Sequence, residues 1–190
     1  MSKLYTQISS GVLKGKKLKL PSLETTRSTK SIVKGSFFDS FRYELEGRVF
    51  IECFGGSGLM AAEAVSNGAK MGIAIEKDRD AFSVLKENFK DLSPNLRAIN
   101  ADSFKKVPEI LENLDDEVIL YLDPPFDIRD GFDDIYKKVV SLVENLNYND
   151  IFLIAIEHNS KVKFDENIAK FSQIKSKKFG STTLTYFKTR

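Results

Sequence analysis

From residue 49 onward, short apolar runs alternate with longer stretches that are apolar on one side only. Residues 49–54 form an apolar run broken by one acid, which ends at Gly55-Gly56-Ser57-Gly58. Residues 59–67 follow as an apolar-rich helix closed by Gly68. Residues 70–75 read as a second strand, ending at Glu76, and residues 80–92 as a helix with Phe82, Leu85 and Phe89 on one side. A third strand at 96–100 leads through Asp102 to a helix reaching Leu114. A fourth at 117–122 ends at Asp123-Pro124-Pro125-Phe126 and precedes a helix at 133–145. A fifth at 151–156 ends at Glu157. Residues 170–176 and 181–188 close the chain as an antiparallel pair around Phe179-Gly180.

Before this alternation, residues 4–20 read as a small hairpin turning at Ser9-Ser10-Gly11. Residues 25–29 are polar and turn-like. Residues 31–45 place Ile32, Phe37, Phe38, Phe41 and Leu45 at roughly helical spacing, despite Gly35. Strand–helix alternation implies an α/β fold with a mostly parallel sheet covered on both faces. In such folds a ligand binds beyond the carboxyl ends of the strands. Glu52, Glu76, Asp102, Asp123 and Glu157 all fall there, so the site is expected among them.

With 190 residues, the chain suits one core; 42% hydrophobic and 29% charged content is ordinary for a globular protein. The longest apolar run has six residues, 151–156, against the ~20 that a membrane span needs. The first 20 residues are polar and basic, so no secretory signal is expected, and the expected compartment is the cytoplasm. A single cysteine, Cys53, cannot form an internal disulfide, and with a single histidine, His158, it argues against a zinc site; no metal is assigned. The net charge of +2 is unevenly spread: +6 over residues 1–48, −10 over 49–160 and +6 over 161–190. Basic termini suit a polyanionic partner. The competing explanation is a lysine-rich composition, 22 Lys against 7 Arg.

The glycine turn lets the backbone bend sharply and meet a ligand closely. It lacks the G-x-G-x-x-G spacing and is not followed by Gly-Lys-Ser/Thr, which disfavours a pyrophosphate ligand. Glu76, 24 residues after Glu52, is placed to accept hydrogen bonds from the ribose hydroxyls of an adenosine. Asp102 can bond an adenine amine, cap the following helix, or do both. Two prolines after Asp123 stiffen the turn and remove two donors, leaving carbonyl oxygens and a carboxylate as acceptors beside the flat ring of Phe126. Such a turn suits a planar group bearing an NH2. His158 and Cys53 read as structural. Lys14, Lys16, Lys17, Arg27, Lys30 and Lys34 form one basic patch. Lys175, Lys177 and Lys178 form another, beside Phe179 and Tyr186, a mixture that suits single-stranded RNA.

In combination, Glu52-Cys53-Phe54-Gly55-Gly56-Ser57-Gly58, Glu76-Lys77-Asp78, Asp102 and Asp123-Pro124-Pro125-Phe126 resemble the Rossmann-like S-adenosylmethionine-dependent methyltransferases. More narrowly they resemble the bacterial RsmD family, which methylates the N2 amine of a guanine in small-subunit ribosomal RNA. Gly11-Val12-Leu13-Lys14-Gly15-Lys16 matches that family's G-x-x-x-G-[RK] element, and Arg27-Ser28-Thr29 its R-P-T segment. The chain departs from the family pattern with Glu52 for Asp, Ser28 for Pro, Ile32 for Arg and Gly35 for an acid.

The resemblance implies a class I fold: a seven-stranded, mostly parallel sheet with a C-terminal antiparallel hairpin and a small N-terminal β-hairpin extension. It implies S-adenosylmethionine as cofactor, held by Glu52, Phe54, Gly55, Gly56, Ser57, Gly58, Glu76, Lys77, Asp102 and Ser103. Asp123, Pro124, Pro125 and Phe126 would form the catalytic turn. Lys14, Lys16, Lys17, Arg27, Thr29 and Lys34 would hold RNA. The expected division is residues 1–30 as a basic RNA-binding extension and 31–190 as the methyltransferase domain. The expected partner is small-subunit ribosomal RNA or an assembling small subunit, met by a monomer. The rivals are a methyltransferase for another RNA, DNA or protein amine, and a non-catalytic RNA-binding protein on the same fold.

Overall fold

The computed structural model describes residues 4–21, 27–125, 132–147 and 149–190, with the backbone alone at residues 27–30, 132 and 133. Two antiparallel strands, β1 (Tyr5–Gln7) and β2 (Lys17–Lys19), precede helix α1 (Arg27–Phe41) and a 3-10 turn (Arg42–Glu44). Then follow β3 (Val49–Glu52), α2 (Leu59–Ser66), β4 (Met71–Glu76), α3 (Arg79–Phe89), β5 (Leu96–Asn100) and α4 (Ser103–Leu111). The chain continues through β6 (Val118–Leu122), α5 (Phe132–Glu144), β7 (Ile151–Asn159), β8 (Asn167–Ile168), β9 (Phe171–Phe179) and β10 (Thr182–Thr189).

The main sheet runs β5-β4-β3-β6-β7-β10-β9-β8. Strands β3 to β7 pair in parallel, and β10 runs antiparallel between β7 and β9. The expected seven strands gain an eighth, because Asn167 and Ile168 pair with the start of β9 at the sheet edge. Every residue of β3 and β6 is buried, as helices on both faces require. One core holds Phe37, Phe38 and Phe41 of α1 against Phe50, Tyr121 and Tyr186; the other holds Val107, Leu111, Val139 and Leu142 of α4 and α5.

Among the differences from the sequence reading, two concern elements that border the site. Helix α1 begins at Arg27, inside the segment read as turn-like. Packing of its aromatic face provides what the polar first turn lacks. Strand β7 runs on to Asn159, three residues past the expected end, because β10 continues the ladder up to the pair Thr182–Asn159. The expected boundary at residue 30 falls within α1.

The hairpin joins the first core through Ile8 and Leu18. Gly11 (φ +77°) lies so close to α2 that a Cβ would stand 1.7 Å from the Ser66 carbonyl oxygen. The amides of Val12 and Leu13 donate to that carbonyl and to Ser66 Oγ, both at 2.8 Å. Below them Glu63, wholly buried, accepts from Ser9 N and Ser9 Oγ, both at 2.6 Å, and from Lys34 Nζ. Lys34 is 7% exposed and also donates to the Gln7 carbonyl. Glu63→Ala strands this ammonium in the interior and should cost about 3–5 kcal/mol in urea unfolding. A double change, Lys34→Met with Glu63→Leu, should be milder than Glu63→Ala alone. A loss below about 1 kcal/mol for Glu63→Ala would contradict a buried pair.

Candidate active site

At the carboxyl ends of β3, β6 and β7 a cavity of about 470 Å³ opens between the sheet, α1 and the hairpin. Its sheet side is formed by Glu52, Tyr121, Asp123 and Glu157, and its loop side by Phe54, Gly55, Gly56 and Ser57. The hairpin closes it with residues 5–9, and Lys34 reaches it from α1. This volume is in the range of small-molecule sites.

Glu52 is buried and accepts from Ala61 N at 3.0 Å and Met60 N at 3.4 Å, two amides of the first turn of α2. Those donors have no partner within the helix, and the carboxylate satisfies them. The turn before α2 is tight. Gly58 adopts φ +77°, and a Cβ there would lie 2.4–2.5 Å from Leu85 and Phe89 of α3. Glu76 ties the turn to β4: Oε2 accepts from Gly56 N and Oε1 from Asp78 N, both at 2.8 Å. Asn88 bonds the Ser57 carbonyl and both backbone groups of Lys19, so the turn and the hairpin share one anchor.

Glu76, Lys77, Asp102 and Ser103 flank the glycine turn and do not line the cavity. Asp102 caps α4 through Phe104 N at 3.0 Å and pairs with Lys77 Nζ at 2.8 Å. The Lys77 hydrogen bond holds its carboxyl below the ordinary range. Asp102 also borders a separate crevice of about 380 Å³ between α4 and α5. Ser103 Oγ donates to the Cys53 carbonyl. The Phe54 ring meets Phe104 edge-on at 5.7 Å. Pro124 is buried and Pro125 exposed after Asp123; Phe126 lies outside the described residues.

Lys14, Lys16 and Lys17 stand exposed on the hairpin. Lys34 departs from the expected surface contact, since its ammonium is buried against Glu63. The backbone of Arg27 and Thr29 lies in the first turn of α1, and their side chains are outside the description. In the second basic patch Tyr186 is buried between Phe37 and Phe41 and offers no face for stacking. The hairpin wall and Tyr121 were missed as cavity-forming residues. Tyr121 precedes Asp123 by two residues on a strand, and that spacing alone puts it on the same face.

A parallel sheet reversing its order at β3, a glycine turn after β3, an acid ending β4 and Asp-Pro-Pro after β6 make the layout of a Rossmann-like class I methyltransferase. The family model described as "Conserved hypothetical protein 95" matches residues 6–188. The chain belongs to that family, the RsmD family to which its motifs point. It is 29% identical over 145 residues to "Ribosomal RNA small subunit methyltransferase D" of Buchnera aphidicola, covering 76% of this chain and 71% of the relative. It is 25% identical over 188 residues to "Putative rRNA methyltransferase YlbH" of Bacillus subtilis, covering 97% and 99%. The solved structure "Putative methyltransferase yhhF" from Escherichia coli superposes with a TM-score of 0.79 at 24% identity, covering 98% of this chain and 99% of that one. Among the described residues no helix is long and apolar enough to cross a membrane.

Next to the cavity, His158 is buried. Its ring nitrogens contact Thr185 Oγ1 at 2.9 Å and the Asn159 carbonyl at 3.0 Å. Burial pushes its imidazole below the ordinary value, with the Asn159 carbonyl opposing. The unfolded chain then binds a proton that the folded chain refuses, so stability falls as pH drops below about 6.5. The urea midpoint should decline between about pH 7.5 and about pH 5.5, and His158→Gln should flatten that decline. Equal slopes in the two proteins would refute this environment for His158.

Proposed function

We propose that this protein transfers a methyl group from S-adenosylmethionine to the exocyclic N2 amine of a guanine in small-subunit ribosomal RNA. Family membership supports the reaction class. The observation that carries the target is the pairing, in one cavity, of the glycine turn with Asp123 at the start of a proline-stiffened turn.

The residues present fit the cofactor. The cavity is large enough for a small molecule, and the glycine turn forms its wall at residues 55–57. Gly55, Gly56, Ser57 and Gly58, with Glu52 and Phe54 behind them, would hold the amino-acid end. Outside the cavity's lining, beside the same glycine turn, Glu76 would take the ribose hydroxyls, and Asp102, Ser103 and Lys77 would border the adenine. When bound, the cofactor supplies an electrophilic methyl on a sulfonium sulfur. Asp123 and the Pro124 carbonyl would each accept one hydrogen of the target amine. Two acceptors on one amine would fix the direction of its lone pair, a positioning effect. The base would be flipped or already unstacked, with Phe126 against its ring. Transfer would release S-adenosylhomocysteine, and the methylated nitrogen, an acidic ammonium, would give its proton to Asp123 or to water.

Residues 1–30 would serve as the RNA-holding extension, through exposed Lys14, Lys16 and Lys17, with Arg27 and Thr29 at the start of α1; residues 31–190 would carry the catalyst. Lys34 supports this indirectly, by anchoring the hairpin. The protein would act as a monomer without a metal, in the cytoplasm where ribosomal RNA is found.

Asp123→Ala should lower single-turnover transfer of labelled methyl to small-subunit RNA by about a hundredfold to a thousandfold, about 2.7–4 kcal/mol. Calorimetric affinity for S-adenosylhomocysteine should stay nearly unchanged. An Asp123→Ala protein that transfers at the parental rate would remove this turn from the mechanism.

A further inference from the structure

Three acidic side chains share one face of the sheet, and one of them, Glu157, belongs to none of the motifs. Glu52 and Tyr121 are register partners across β3 and β6, as are Tyr121 and Ala155 across β6 and β7. Side chains two residues further along a strand return to the same face. Asp123 and Glu157 therefore follow one another across neighbouring strands, one residue beyond the last β6–β7 pair, Leu122–Ile156. Such strands stand about 4.8 Å apart. Both carboxylates line the cavity, with Tyr121 beside them.

Glu157 differs from a solvated acid at a strand end. It is 5% exposed and held within the β7–β10 ladder opposite Leu184. Its Oε2 accepts from the Tyr121 hydroxyl at 2.9 Å. Burial, then the charges of Glu157 and Asp123, keep that hydroxyl protonated and therefore a donor. A carboxylate accepts several hydrogen bonds at once, so Tyr121 orients Glu157 without exhausting it.

We propose that Glu157 reads the ring N–H of the target base and makes the site selective for guanine. This rests on the amine-transfer reading above and adds the residue that chooses the base. Adenine, cytosine and guanine all carry an exocyclic amine. In adenine and cytosine the ring nitrogen beside the amine-bearing carbon is a bare acceptor. In guanine the amine-bearing carbon lies between a bare N3 and N1, and N1 carries a hydrogen. With its amine on Asp123, guanine would turn its N1 edge to the next strand, where Glu157 stands. The carboxylate accepts from guanine N1–H and faces the lone pair of adenine N1 or cytosine N3 with nothing to bind. Tyr121 remains its donor in either case, but a carboxylate set against a ring lone pair brings two acceptors together with no hydrogen between them, which turns one missing hydrogen into strong discrimination.

2-Aminopurine keeps the C2 amine of guanine but lacks the N1 hydrogen. It would replace the target guanine in a small-subunit RNA fragment that the intact chain methylates, and kcat/KM would be measured on both RNAs. The intact chain should favour guanine by at least about a hundredfold. Glu157→Gln, which offers an N–H to a bare N1, should reduce that preference by about tenfold or more. Its melting temperature and its affinity for S-adenosylhomocysteine should match those of the intact chain. Equal rates on the two RNAs by the intact chain overturn the assignment without any variant. An undiminished preference in a folded Glu157→Gln protein overturns it too, and leaves the amine reading standing. Absence of N2-methylguanosine from the intact chain's product overturns both.

Discussion

Strand order reverses at β3, and the site follows from that reversal. From β3 the chain builds outward to β4 and β5, then returns to lay β6 and β7 on the other side. Right-handed crossovers consequently place α2 and α3 on one face and α4 and α5 on the other. The loops after β3 and β6 leave neighbouring strands in opposite directions, so a crevice opens between them. Parallel pairing of β3 to β7 brings the carboxyl ends of these five strands to this edge. Acids distant in sequence, Glu52, Asp123 and Glu157, thus meet in one cavity.

Such a crevice needs an outer wall, and the hairpin provides it. The hairpin is too small to carry a core of its own, and it lends Ile8 and Leu18 to the main one. Its position is set by polar contacts with little room for error: Gly11 against Ser66, Ser9 and Lys34 on Glu63, and Lys19 on Asn88. Asn88 also holds Ser57, so the wall and the glycine turn are positioned together. An RNA engaging the exposed lysines of the hairpin would press on the element that bounds the cavity.

Much of this was legible in the sequence because parallel strands buried on both faces leave plain apolar runs, and because glycines and prolines mark the turns that follow them. The acids at the strand ends stood out against those runs. What was hidden depends on partners distant in sequence. Residues 27–29 look like a turn until the aromatic face of α1 finds Tyr121 and Tyr186. Lys34 looks like a surface lysine until Glu63 of α2 is set beside it. Glu157 reads as a strand end only because the apolar run stops there; β10 carries the ladder past it. Tyr186 reads as an aromatic among lysines, and the β7–β10–β9 register turns it inward.

The proposed reaction makes a chemically specific product, and the product is the most direct thing to measure. Small-subunit RNA from cells lacking this protein would be incubated with the purified chain and labelled S-adenosylmethionine, then digested to nucleosides and resolved by mass spectrometry. The expected result is label in N2-methylguanosine, at a position that is unmodified in the starting RNA. Label at a ring nitrogen, on a ribose oxygen or in no nucleoside would contradict the assignment of the Asp123 turn to an exocyclic guanine amine.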